Sequence, residues 1–155
     1  MVEAMIEAWG ANCRMNHMLI DNVSDKGLHC TLSTRGGRGV LGELAHMHTN
    51  RVWQLEKRAP DLGKGLVKYT AKDTPTRAQI RKAFVASDRA MHTFLVELCE
   101  GQPRRRGFKR GLFTTLAYFV SHESHHRGRI LLTLKVSGET LDKSSVCGLW
   151  GWDQI

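Results

Sequence analysis

The sequence lacks both closely spaced cysteines and long hydrophobic runs. Its four cysteines are far apart and form no C-x-x-C pair, which argues against a disulfide framework and against a thiolate zinc site. No segment approaches the roughly 20 apolar residues that a membrane-spanning helix requires. The first residues carry Glu3, Glu7 and Trp9 where an export signal would be basic and then apolar. We therefore expect a cytoplasmic protein with no membrane association.

The chain also lacks the alternating pattern of β-strands, internal repeats and low-complexity tracts. Its 155 residues are 41% apolar and 25% charged, which is typical of a globular domain with a hydrophobic core. We expect one domain over residues 1–155. This composition excludes disordered and fibrous chains.

The charge balance is basic, with a formal net charge of +8 at pH 7. Such a charge suits an anionic partner, but it equally serves solubility. The densest run, from Arg104 to Arg110, could bind phosphates, and Phe108 is its one aromatic residue, so it offers no platform for stacking bases. We interpret the run as a solvated loop. A non-catalytic nucleic-acid-associated protein, or a scaffold that uses this basic surface, is the alternative function.

Helical periodicity recurs in four segments. Apolar residues repeat at three- and four-residue steps from Val2 to about Val23, from Val40 to about Arg58, after Pro75, and from Leu112 to about Val136. Thr74 and Pro75 predict an N-cap followed by proline at the first helical position. Four helices of similar length favour an all-α bundle. We expect the apolar tail from Glu139 to Ile155 to pack across it or on a partner subunit.

The chemistry is concentrated in histidines. His122 and His126 are four residues apart on the fourth predicted helix, so both imidazoles face one point. Imidazole is a good ligand for zinc, nickel, copper and iron. The string H-E-x-H-H differs from the H-E-x-x-H metalloprotease motif, and Glu123 should point away from the pair. Without a third ligand, a surface or core role for these histidines remains the alternative.

The second predicted helix supplies two candidates for the third ligand, His46 and His48. Because residues two apart on a helix point about 200° away from each other, only one of them can join the pair. His48 lies in line with the apolar residues of the second predicted helix, whereas His46 lies to one side of them. His122 and His126 likewise lie to one side of the apolar residues of the fourth predicted helix. Periodicity alone leaves the choice open.

The sequence resembles the DinB/YfiT-like family of metal-dependent enzymes over nearly its whole length. The matching motifs are Leu44-Ala45-His46-Met47-His48 with Arg51 and Trp53, then 107–111, His122-Glu123-Ser124-His125-His126-Arg127-Gly128-Arg129-Ile130 with Leu134-Lys135, and 148–152. The string H-E-x-H-H-R-G-x-I is the most specific of them.

The resemblance implies a four-helix bundle with up-down-down-up connection, usually a homodimer, that binds one divalent transition metal such as zinc, nickel, manganese or iron. It implies His46, His122 and His126 as the ligands, with His48 as the alternative to His46. It further implies a metal-dependent transferase that uses a low-molecular-weight thiol against an electrophilic small molecule, or a hydrolase. The catalytic residues and the substrate stay open.

Three further residues or groups carry expectations. Glu43 precedes His46 by three residues and could accept a hydrogen bond from a ligand imidazole. Gly128 lies inside a predicted helix, where glycine costs roughly 1 kcal/mol relative to alanine, which suggests a close backbone approach there. The four tryptophans are expected mainly in the core or at an interface.

Overall fold

The computed structural model describes residues 2–35 and 37–153, and this part of the chain is all-helical. Its seven helices are α1 (Val2–Asn22), α2 (Asp25–Leu28), α3 (Val40–Arg58), α4 (Pro60–Gly63), α5 (Arg77–Cys99), α6 (Leu112–Val136) and α7 (Lys143–Gly148). The four long helices lie where hydrophobic periodicity predicts them. No helix in the described ranges is long and apolar enough to span a membrane.

The start of α5 differs from the sequence-based expectation. The N-cap is Thr76 rather than Thr74, so Pro75 precedes the helix instead of opening it. The Thr76 side chain accepts a hydrogen bond from the backbone N–H of Gln79, and the Gln79 side chain accepts one from the backbone N–H of Thr76. This reciprocal capping box satisfies two N–H groups at once, which a cap at Thr74 would not do.

Contacts between side chains give the relative directions of the long helices. α1 runs antiparallel to α5, because His17 contacts Asp88 while Arg81, nearer the start of α5, contacts Asp21. α3 runs antiparallel to α6, because Glu43 contacts His126 and Gln54 contacts Tyr118.

The other two pairs are parallel. α3 and α5 follow one direction, since His48 lies beside Phe84 and Arg51 beside Asp88. α1 and α6 also follow one direction, since Trp9 contacts Phe119 and Asn16 contacts Arg127. Each of α1 and α3 therefore packs against both α5 and α6.

The apolar core is divided into two clusters along the helix axes. One cluster includes Leu19, Ile20, Leu44, Phe84 and Ile130. The other includes Trp9, Leu55, Phe94 and Phe119. On every long helix, polar residues occupy the turn between the two clusters, and all of them except the partly buried Asp88 are buried. We call this set the polar layer; it consists of Asn12, Asn16, Arg51, Ser87, Asp88, Glu123 and Arg127.

An ion pair between Arg51 and Glu123 lies at the centre of the polar layer. Arg51 Nε is 2.5 Å from Glu123 Oε1 and Nη2 is 3.0 Å from Oε2. Asn12 and Asn16 each donate to Glu123 Oε2 at 2.6 Å, and Arg51 Nη1 donates to Asp88 at 2.5 Å. One connected network thus joins α1, α3, α5 and α6.

The C-terminal segment packs on α1, as its apolar residues predict. Leu141 and Leu149 belong to the first core cluster, and a Cβ added at Gly148 would lie 3.0 Å from the sulfur of Met18. Residues 154 and 155 of the predicted tail lie outside the described ranges. All four cysteines are free, and only Cys13 is buried.

We predict that Glu123→Gln destabilises the protein by about 3 kcal/mol, because it removes the charge of the buried carboxylate that the guanidinium of Arg51 meets with two of its nitrogens. Urea unfolding measures the change. Glu56→Gln is the matched control: Glu56 pairs with Lys68 at 2.6 Å with both side chains more than 40% exposed, so less than about 1 kcal/mol should be lost. Equal losses of unfolding free energy in the two variants would show that the buried ion pair stabilises the protein no more than the exposed one does.

Acid stability should depend on Asp88. Burial alone would raise the pKa of this carboxyl, but the hydrogen bond with His17 and the charge of Arg51 outweigh burial and lower the pKa to about 2. A lowered carboxyl pKa stabilises the fold above the ordinary value near 4, and this contribution, about 2 kcal/mol, disappears as pH falls toward 2. Asp88→Asn should therefore be less stable at pH 6 and show a shallower loss between pH 4 and pH 2. An unchanged acid profile would contradict this account.

Candidate metal centre

Three of the histidines predicted as candidate ligands converge between α3 and α6. One ring nitrogen from each of His46, His122 and His126 lies within 4.8 Å of the other two. The ring centroids of His122 and His126 are 4.4 Å apart, and that of His46 is 5.3 Å from the first and 4.6 Å from the second. The antiparallel packing of α3 on α6 brings His46 to the i, i+4 pair.

The hydrogen bonds around the pair fix which nitrogens carry protons. Glu43 Oε2 lies 2.5 Å from His126 Nδ1, so Nδ1 carries the proton and His126 Nε2 keeps a free lone pair. That lone pair is 3.1 Å from His122 Nε2, which must then donate an N–H. The amide of Asn50 is 3.4 Å from His122 Nδ1 and can donate to it. In this state the two imidazoles share a proton between their Nε2 atoms.

Glu43 is buried beneath the histidines. Its second oxygen, Oε1, lies 3.0 Å from Nε of Arg129, so one carboxylate joins His126 to a half-exposed cation. The expectation that Glu43 orients an imidazole agrees with this geometry. A carboxylate on the far nitrogen of a metal-bound histidine fixes the ring and raises its basicity.

All three imidazoles are held in the neutral form. Burial is the main cause, and it lowers the pKa of His46 and of His126 to about 4. Arg38 contributes next at His46, and His122 does so at His126. Burial also lowers the pKa of His122. Neutral imidazole is the form that binds metal.

The structure places His48 away from this group. Its ring is fully buried, Nδ1 lies 3.1 Å from Ser87 Oγ, and Nε2 lies 2.8 Å from the carbonyl oxygen of Val67. Both ring nitrogens are therefore engaged within the core. Of the two alternatives that periodicity leaves open, the structure groups His46 with the pair.

Aromatic and cationic side chains surround the histidines. The half-exposed Trp53 lies edge-on to His46 with centroids 6.3 Å apart, and Tyr118 stacks on His122 at 5.9 Å. Arg38 is exposed and forms no hydrogen bond or ion pair with any described residue. It lowers the pKa of all three histidines. Arg38 and Arg129 make the surroundings favourable to anions.

The arginines of the basic run before α6 form more ion pairs with other residues of the protein than a solvated loop would. Arg105 is buried and pairs with Asp61 and Glu97, and Arg104 also pairs with Glu97 at 2.8 Å. These two cations are therefore already neutralised. The structure thus weakens the case for this run as a phosphate-binding surface.

One sequence expectation on α6 is wrong. Gly128 is exposed, and a Cβ added there would meet nothing within 4 Å, so no other backbone approaches it.

The sequence also offers little sign of the polar layer. Glu123 points away from the histidine pair, as expected. Its ion pair with Arg51, however, depends on the tertiary packing of four helices.

No protein-family model, curated protein or solved structure matches this chain.

We predict that His126 in the metal-free protein carries its proton on Nδ1 at pH 7, because Glu43 accepts there. Nitrogen-15 NMR of the imidazoles distinguishes the two tautomers. Glu43→Gln replaces the carboxylate by an uncharged amide and should yield a mixture of tautomers. A dominant Nε2–H tautomer at His126 in the wild type would contradict the hydrogen-bond order given above.

Proposed function

We propose that this protein is a metal-dependent enzyme whose ligands are His46, His122 and His126. The observation that carries the proposal is the convergence of three buried or half-buried neutral imidazoles, one of them bonded to a buried carboxylate. Structural histidines have their nitrogens engaged by ordinary partners, as those of His48 are. Among the three candidate ligands, the Nε2 atoms of His122 and His126 instead face each other.

The donor set fits a divalent transition metal. Three imidazole nitrogens suit zinc, nickel, manganese or iron, and leave coordination positions for exchangeable ligands. On binding, the proton of His122 would move from Nε2 to Nδ1, which frees Nε2 for the metal, and Asn50 could then turn its amide oxygen to accept a hydrogen bond from Nδ1 of His122. Glu43 would keep Nδ1 of His126 protonated. The residues thus need only a tautomer change, without a change of backbone.

The reaction we propose is transfer to a low-molecular-weight thiol, with hydrolysis as the other reaction of the same site. A bound divalent metal would lower the pKa of a thiol or water and so supply a nucleophile at neutral pH. Arg38 and Arg129 would attract anionic groups of a substrate, and Trp53 would provide an apolar contact beside His46.

We further propose the four-helix bundle with up-down-down-up connection that the family resemblance implies, and with it a homodimer. The antiparallel pairing of α1 with α5 and of α3 with α6, with the parallel pairing of α3 with α5, supports this connection. Sedimentation at several protein concentrations tests the dimer.

Metal content tests the site. Elemental analysis of untagged wild-type protein should give about one metal per chain, and His46→Ala and His126→Ala should each lose it, because two imidazoles bind far more weakly than three. His92→Ala, at an exposed histidine on α5, is the matched control and should retain the metal. His48→Gln should also retain it, although at lower stability. A wild type that neither contains nor takes up zinc, nickel or manganese would refute the proposal.

Glu43→Gln should weaken metal binding by about 10- to 100-fold while leaving the three ligands in place. Competition with a coloured chelator measures the affinity. Glu56→Gln again serves as the control. Equal affinities in wild type and Glu43→Gln would show that this carboxylate has no role toward the metal.

An absorbance assay tests the reaction, because it measures how fast an electrophilic aryl halide is consumed with and without a low-molecular-weight thiol. Activity that requires both the metal and the thiol would support the transferase, whereas metal-dependent ester cleavage without thiol would identify a hydrolase.

A further inference from the structure

A recess lies on the side of α6 that faces away from the three histidines. It is bounded by α1, α6 and the segment after α7, and its volume is about 190 Å³. Its lining consists of Met15, Ser124, Arg127, Gly128, Leu131, Leu149, Trp150 and Trp152. Because Ser124 and Gly128 are each two residues beyond a candidate ligand, they point about 200° away from His122 and His126.

Arg127 lines this recess as a buried cation without a bonded anion. Arg127 is only 7% exposed as a residue, yet its guanidinium donates only to neutral oxygens: those of Asn12 and Asn16 at 2.8 and 2.7 Å, and that of Ser124 at 2.9 Å. The nearby carboxylate of Glu123 is bonded to Arg51 and the two asparagines. Buried charges are ordinarily paired directly, so Arg127 is an exception within the described chain.

The guanidinium has donors to spare. It carries five N–H groups, of which Nη1 uses two on the asparagines and Nη2 uses one on Ser124. The remaining donors are Nε–H and one N–H of Nη2, and Nε and Nη2 are adjacent nitrogens along one edge of the guanidinium. Two adjacent N–H groups match the two oxygens of a carboxylate.

The remainder of the recess is apolar and open. Trp150 is 75% exposed and Trp152 is 47% exposed, although both line the recess beside buried Leu149. The missing side chain at Gly128 leaves space, since a Cβ there would meet nothing within 4 Å. An apolar body placed between α6 and the tryptophans would cover indole surface that water now contacts.

We propose that this recess binds a small organic carboxylate, with the anionic group on Arg127 and Ser124 and a flat apolar body between Gly128 and the two tryptophans. The small volume admits one ring or a short chain, below the size of most drug-binding pockets. The site is separate from the metal centre and does not depend on it. Gly128 then has a role that close helix packing does not explain.

Titration with benzoate and with benzamide tests the proposal, because the two probes share a ring and differ in charge. Nitrogen-15 NMR of the protein as purified follows the indole N–H signals of all four tryptophans. Benzoate should shift Trp150 and Trp152 and leave Trp53, beside the histidines, unchanged. Benzoate should bind at least about tenfold more tightly than benzamide. Equal affinities, or shifts at Trp53 alone, would overturn the proposal.

Two variants locate the site. Gly128→Leu fills the recess from α6 and should weaken benzoate binding at least about tenfold, and it should fold well because leucine favours a helix more than glycine does. Leu132→Ala, at an exposed position on α6 outside the lining, is the matched control and should bind as wild type does. Arg127→Gln, if it folds, should abolish the preference for benzoate over benzamide. Unchanged binding in Gly128→Leu would refute the assignment.

Discussion

The buried ion pair of Arg51 with Glu123 is the constraint on which the rest of the structure depends. Neither side chain is more than 1% exposed, and the pair lies where the two apolar clusters of the core meet. A charge in this position is tolerated only when its partners are in place. Since those partners come from α1, α3, α5 and α6, the network fixes the register of all four long helices together.

This register determines both candidate sites on α6. With Glu123 directed at Arg51, the neighbouring His122 and, one turn later, His126 face α3, where Glu43 and His46 meet them. Arg127, one turn after Glu123, extends the polar layer toward α1 and ends at the recess beside Trp150. One helix therefore presents a cluster of neutral nitrogen donors on one side and a spare cation on another.

The sequence predicts the all-helical class and the long helices, because their apolar residues repeat with helical period over many turns. It also predicts that His122 and His126 act together, since their spacing is a local property of a helix. The choice of His46 over His48 depends on the rotation of α3 against α6, which periodicity does not determine. The N-cap of α5 was readable from the sequence, because Thr76 and Gln79 have the spacing of a capping box, whereas the open surface at Gly128 depends on tertiary contacts.

X-ray absorption spectroscopy of the zinc-loaded protein tests the central claim most directly, because it reports the atoms bound to the ion. Three imidazole nitrogens at about 2.0 to 2.1 Å, with oxygen as the exchangeable ligand and no sulfur, are the result that ligation by His46, His122 and His126 predicts. A sulfur ligand at about 2.3 Å, or fewer than three imidazoles, would contradict the assignment of this histidine group as the metal site.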